Sequence, residues 1–166
     1  MKNYLIILFC SFISFLNAQK KFNKEGVSFN IPKDWSITEE EDWDGEGYYL
    51  SVEKDGLDSS GMVTMTWING EIDLDEWLEE TKTDFKTNLG KNSKLKFDKE
   101  VSTTYNNIES KSVSYTFSLI GFKHRGNIIL FYKNGKSFLM IKQEANEDIK
   151  KNKKGFVIIE ESFLLE

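Results

Sequence analysis

The 166-residue sequence predicts a single α+β domain, an antiparallel sheet carrying two long helices. Three observations lead there: strand patterns in close succession from Glu109 to Glu144, a capped amphipathic stretch after Asp73, and a second such stretch after Asn146.

The strand run is the organising element. Val113, Tyr115, Phe117 and Leu119 alternate with Ser112, Ser114, Thr116 and Ser118, the period of a strand with one buried face. Phe122 to Lys133 follows, and its block Ile128-Ile129-Leu130-Phe131-Tyr132 reads as a strand covered on both sides, the expected centre of the sheet. Asn134-Gly135 tolerates positive φ and turns the chain into Ser137 to Gln143, the third strand of a meander.

Taken from its start, the chain carries Lys2, an apolar run from Tyr4 to Leu16, and Asn17-Ala18-Gln19, which fit a secretory signal peptide cleaved after Ala18. The run is short of the roughly 20 apolar residues a membrane span needs. Residues 1–18 are therefore assigned to the leader and 19–166 to the mature domain, which is periplasmic or secreted. Cys10 follows Phe9 inside the apolar run, a poor context for lipid attachment. Cleavage removes this only Cys, so the mature chain has no disulfide, thiol nucleophile or thiolate ligand. Loss of Lys2 takes 22 Lys and Arg to 21 against 27 Asp and Glu, a net −6 that disfavours nucleic acid or anionic lipid as the main partner. Thirteen Phe, six Tyr and four Trp supply a core.

After a polar lead-in, Val27, Phe29 and Ile31 form a strand that Pro32 ends. Trp35 and Ile37 restart an extended segment, with the Trp35 ring folding back as a plug at the end of the sheet. Glu39 to Gly47 holds six acidic residues around Trp43 and two glycines and reads as an exposed loop. Strands resume at Tyr48–Glu53 and Met62–Ile68, joined by a polar loop from Lys54 to Gly61. Asp73 caps a helix whose Leu74, Trp77, Leu78, Thr81, Phe85 and Leu89 form one stripe, ended near Gly90. Leu95, Phe97 and Val101 suggest one further strand, turning through Asn106-Asn107 into the meander. Asn146 caps the last helix, with Glu147 and Asp148 at its positive end and Ile149, Phe156, Ile159 and Phe163 on one side. Gly155 within it marks close approach to the sheet or a local irregularity.

The phrase GVSFNIPKDWSI (Gly26 to Ile37), the sheet-forming middle and the final FVIIEESF (Phe156 to Phe163) together resemble the PsbP and DcrB-like superfamily. The resemblance implies an α-β-α sandwich around a central antiparallel sheet. Members serve as accessory, chaperone-like or partner-binding proteins, among them a photosystem subunit and a nuclear-import factor. It carries no catalytic residue onto this chain.

Candidate chemistry is sparse. His124 is the sole histidine, shares a face with Phe122, Ile128 and Leu130, and reads as a structural residue. There is no G-x-S-x-G, and the serines mostly alternate along strands. Asp42, Asp44 and Glu46, with Gly45 and Gly47 for tight turns, could gather oxygens around Ca²⁺, although the spacing is not that of an EF-hand. Trp43 among them could be an exposed recognition anchor or a ring tucked onto the sheet. Lys150, Lys151, Lys153 and Lys154 form a basic helix face, partnered by Glu147 and Glu160. The sequence thus favours an exported, non-catalytic accessory protein that binds an envelope protein through the acidic loop, the loop after Lys54 or a sheet edge. A small-ligand or Ca²⁺ carrier is the alternative; a hydrolase using His124 fits least.

Overall fold

The computed structural model describes residues 20–56 and 60–166. The expected leader with Cys10, and part of the loop after Lys54, lie outside them.

Strands β1 (Lys20–Lys24), β2 (Val27–Ile31), β3 (Trp35–Asp42), β4 (Gly47–Lys54) and β5 (Met62–Asn69) precede helix α1 (Leu74–Leu89). Then come β6 (Lys96–Phe97), β7 (Val101–Tyr105), β8 (Ile108–Leu119), β9 (Phe122–Lys133), β10 (Lys136–Ala145), α2 (Ile149–Ser162) and β11 (Leu164–Leu165). Among the described residues the main sheet runs β3-β4-β5-β10-β9-β8-β6, with β7 also paired to β8, and all its ladders are antiparallel. A smaller sheet, β1-β2-β11, stands apart.

Two apolar clusters lie on opposite faces of the main sheet. On one face Leu78 of α1 packs on Val113, Tyr115, Ile128, Leu130 and Leu139. On the other, Phe156, Ile159 and Phe163 join Phe29 of the small sheet over Leu50, Met65, Phe131 and Met140. The period-two alternation explains the split: Ile128 and Leu130 face α1, whereas Ile129 and Phe131 face α2. The result is the α+β, α-β-α layering expected from sequence. The central position along the sheet belongs to β10, flanked by β5 and β9, rather than to β9. Its chain-distant pairing with β5 is not visible in the meander sequence.

Local expectations met here include the α1 cap, where the Asp73 carboxylate accepts from the backbone N–H of Asp75 (2.8 Å) and Glu76 (3.1 Å). Gly90 ends α1 at φ 68°, and the Asn134-Gly135 turn has φ values of 51° and 77°. Trp35 is buried at 2% exposure and meets Phe156 edge-on at 5.2 Å. A Cβ on Gly155 would lie 2.4 Å from Trp35 Cε2, so the glycine lets α2 settle on the indole.

Five expectations are corrected. The polar lead-in Lys20–Lys24 is strand β1, pairing with β2 and burying Phe22. The segment carrying Leu95, Phe97 and Val101 is two short strands, β6 and β7, not one. Asn146 opens a 3₁₀ turn over Asn146–Asp148, and α2 starts at Ile149 with no side-chain cap bond from Asp148. Phe163 is the residue after α2 and is buried there. Finally, most of the acidic run is not loop: β3 extends through Glu39, Glu40, Glu41 and Asp42.

Candidate functional site

The acidic run builds the terminal strand of the main sheet. Ser51 opposes Glu39, Leu50 opposes Glu40, Tyr49 opposes Glu41 and Tyr48 opposes Asp42, after a register shift between Ile37 and Glu39. Strand geometry tolerates these acids because hydroxyls meet them. The Tyr49 hydroxyl donates to Glu39 Oε2 at 3.1 Å, and the Tyr48 hydroxyl donates to Glu40 Oε1. Burial first, and the facing carboxylates second, push both phenols above the usual tyrosine range. On the neighbouring strand Glu53 accepts from Thr38 (2.8 Å) and Ser51 (3.3 Å). Glu39 through Asp42 are all exposed.

Asp42, Asp44 and Glu46 sit around the β3–β4 turn. Asp44 (φ 51°) and Gly45 (φ 86°) make it tight, and Asp42 Oδ1 accepts from the Asp44 N–H at 3.2 Å. Asp42 Oδ2 also lies 3.6 Å from Lys24 Nζ. Among the described residues no three acidic, His or Cys side chains are gathered so as to hold a metal ion. The Trp43 ring lies over Gly47, where a Cβ would come within 2.8 Å of Trp43 Cε3 and 2.5 Å of the Trp67 carbonyl oxygen. Trp43 is consequently half-buried, its backbone N–H donating to the Gly47 carbonyl at 3.0 Å.

His124 stacks on Phe117, ring centroids 4.8 Å apart, and its Nδ1 is buried with no hydrogen-bond partner among the described residues. Burial holds its pKa below the ordinary 6.5, against the opposing pull of Glu147 and Asp148. The lysines of α2 are exposed as expected, but the pairings differ: Lys151 meets Asp148 at 3.0 Å, and Glu160 pairs with Lys142.

A polar groove of about 420 Å³ lies beside α2, lined by Ser114, Thr116, Arg125, Asn127, Lys142 and Glu144 among others. Arg125 and Glu144 within it are already engaged. Arg125 donates twice to Glu144 Oε1 (3.0 and 2.6 Å), and Asn152 Nδ2 donates to Oε2 at 3.2 Å.

The β8–β9 turn falls where the sequence places it, between Leu119 and Phe122, but its exposed apolar tip was not singled out. Leu119, Ile120 and Phe122 are 46%, 89% and 52% exposed, and Ile120 holds φ 50°. A β-branched residue is costly in that region, where Asn, Asp or Gly is the ordinary occupant. The signal was present in Ser-Leu-Ile-Gly-Phe, where apolar residues occupy a two-residue turn.

Compared with solved structures, the chain superposes on cyanobacterial PsbP (CyanoP) from Synechocystis sp. PCC 6803 with a TM-score of 0.59. Identity is 12%, over 89% of this chain and 92% of that one. The chain has the PsbP-like fold. LpqN of Mycobacterium tuberculosis, described as involved in cell envelope biogenesis, is also similar, with TM-score 0.52, 11% identity, and coverage of 89% and 90%. No family model and no curated protein matches the sequence.

Proposed function

We propose that the protein is an exported, non-catalytic accessory protein that binds an envelope protein through the acidic edge of β3. The observation that carries this reading is the coincidence of the acidic run with an open strand edge: β3 pairs with β4 on one side and with no other described strand on the other. An extended basic segment of a partner can add to that edge, its backbone completing the ladder and its cations meeting Glu39 and Glu41 on one face or Glu40 and Asp42 on the other. The same charges keep a second copy of the edge away, so the edge selects a basic strand over its own kind.

The signal-like leader and the fold likeness to LpqN, described as involved in cell envelope biogenesis, support an envelope setting. His124, stacked on Phe117 with a lowered pKa, is a poor general base.

Cross-linking in intact envelopes followed by mass spectrometry tests the reading. The wild-type protein is expected to capture one dominant protein in near-equal amount, and a Glu39→Lys, Glu41→Lys variant with an unchanged circular dichroism spectrum is expected to lose it. Capture that survives the charge reversal rejects the edge as the binding site.

A further inference from the structure

The β8–β9 hairpin projects past the main sheet. The β9–β10 ladder stops at Ala145 opposite His124, while the β8–β9 ladder continues through Ser118 opposite Lys123 and Leu119 opposite Phe122. At its apex Leu119, Ile120 and Phe122 are all solvent-exposed, and Ile120 is held in the left-handed region. An exposed isoleucine in that conformation contributes neither burial nor turn propensity to this fold, the pattern expected where strain serves a function.

Exposed lysines lie toward this apex. Lys123 is exposed beside Phe122. Lys96 lies opposite Thr116 and Phe97 opposite Tyr115, so the chain enters β6 from the apex side, bringing the exposed Lys91 and Lys94 toward it. Glu147 and Asp148 share this end of the sheet, and Asp148 is engaged by Lys151 and Ser60. Asp34, Glu53 and Asp55 also lie at this end, but across the sheet at the ends of β3 and β4, and a further group of acids lies at the far end. The β3–β4 turn lies there, and so does the start of α1, where the Ile72 N–H donates to Ser137 Oγ at the beginning of β10. Asp73, Asp75 and Glu76 follow at once.

We infer that the Leu119–Phe122 hairpin tip seats the protein on a lipid bilayer, its apolar side chains entering the interface while the lysines lie at headgroup level. The apex is convex and small, and interfacial insertion needs apolar area without the broad complementary face a protein interface requires. Cations at headgroup depth add attraction to anionic lipids within a Debye length, beyond which the far acidic end is screened. The net −6 of the mature chain therefore does not decide how this end behaves.

Vesicle co-sedimentation tests the inference, using protein isolated after export and vesicles of phosphatidylcholine with or without phosphatidylglycerol. The wild type should sediment with both, more so with phosphatidylglycerol. An Ile120→Asn, Phe122→Ser variant should bind about tenfold less, as expected when apolar carbons leave the interface. Its melting temperature should not fall, because Asn accepts the left-handed conformation. A Lys94→Glu, Lys123→Glu variant should lose the phosphatidylglycerol preference alone. The inference fails if the wild type stays in solution, or if the tip variant sediments as well as the wild type. Loss of a protein cross-link on tip substitution, without vesicle binding by the wild type, would assign the tip to a protein pocket instead. The acidic-edge reading is unaffected by either result, since its variant changes no tip residue.

Discussion

Trp35 shows how one side chain organises its surroundings. Its ring is pressed by α2 at Gly155 and by Gly61, where an added Cβ would lie 2.7 Å from Trp35 Cη2. Trp35→Ala should destabilise by about 4 kcal/mol, the loss typical of a buried aromatic, measured by denaturant titration. A midpoint equal to wild type would contradict the plug. Gly155 and Trp35 were both legible in the sequence, one as a helix glycine without a local reason and the other as a Trp after a strand-ending Pro. Glu25 was not legible. It sits at φ 49° in the β1–β2 turn and accepts from Trp67 Nε1 at 2.8 Å and Lys136 Nζ at 3.1 Å, tying the small sheet to the large one. Such a long-range pairing leaves no local pattern. The Trp67 hydrogen bond, followed by Lys136, holds the Glu25 carboxyl below its ordinary 4.5 despite partial desolvation. A folded pKa below the unfolded one stabilises above the unfolded value and is lost as pH falls through the folded value. Acidification from about pH 5 to about pH 3 should therefore cost the wild type more stability than Glu25→Gln, with the variant weaker at neutral pH. Equal acid sensitivity would mean that the carboxylate contributes nothing.

At the scale of elements, the reading of β3 is the instructive failure. Six acids in nine residues look like a self-repelling loop, because strand recognition depends on apolar side chains recurring at one face. Here the strand is recruited by its hairpin partner, through the β4 ladder and the hydroxyls of Tyr48 and Tyr49, a pairing that the side-chain pattern within β3 itself does not display. β1 and β11 were missed for a related reason. β1 buries Phe22 alone between lysines, and β11 is two residues long. The helices were easier, since periodicity and caps are local. Asp73→Ala should lower the thermal midpoint, because the backbone N–H groups of Asp75 and Glu76 lose their shared acceptor. No shift would mean that the two backbone N–H groups find other acceptors at no cost.

The whole molecule has two dissimilar ends joined by a long antiparallel sheet. The Asn134-Gly135 end gathers the acidic β3–β4 turn and the start of α1, whereas the opposite end presents the apolar β8–β9 tip with Lys123 beside it. Composition reports only the sum of these charges, and the sum hides the separation. Together the two proposals have the protein rest on a bilayer at one end and offer a strand edge to a protein along its side. Photo-cross-linking from two positions tests this division of labour most directly. With benzoylphenylalanine at position 41 or position 122, protein adducts are expected from 41 and lipid adducts from 122 when the protein is in its own envelope. Protein adducts of one and the same partner from both positions, with no lipid adduct from 122, would contradict it.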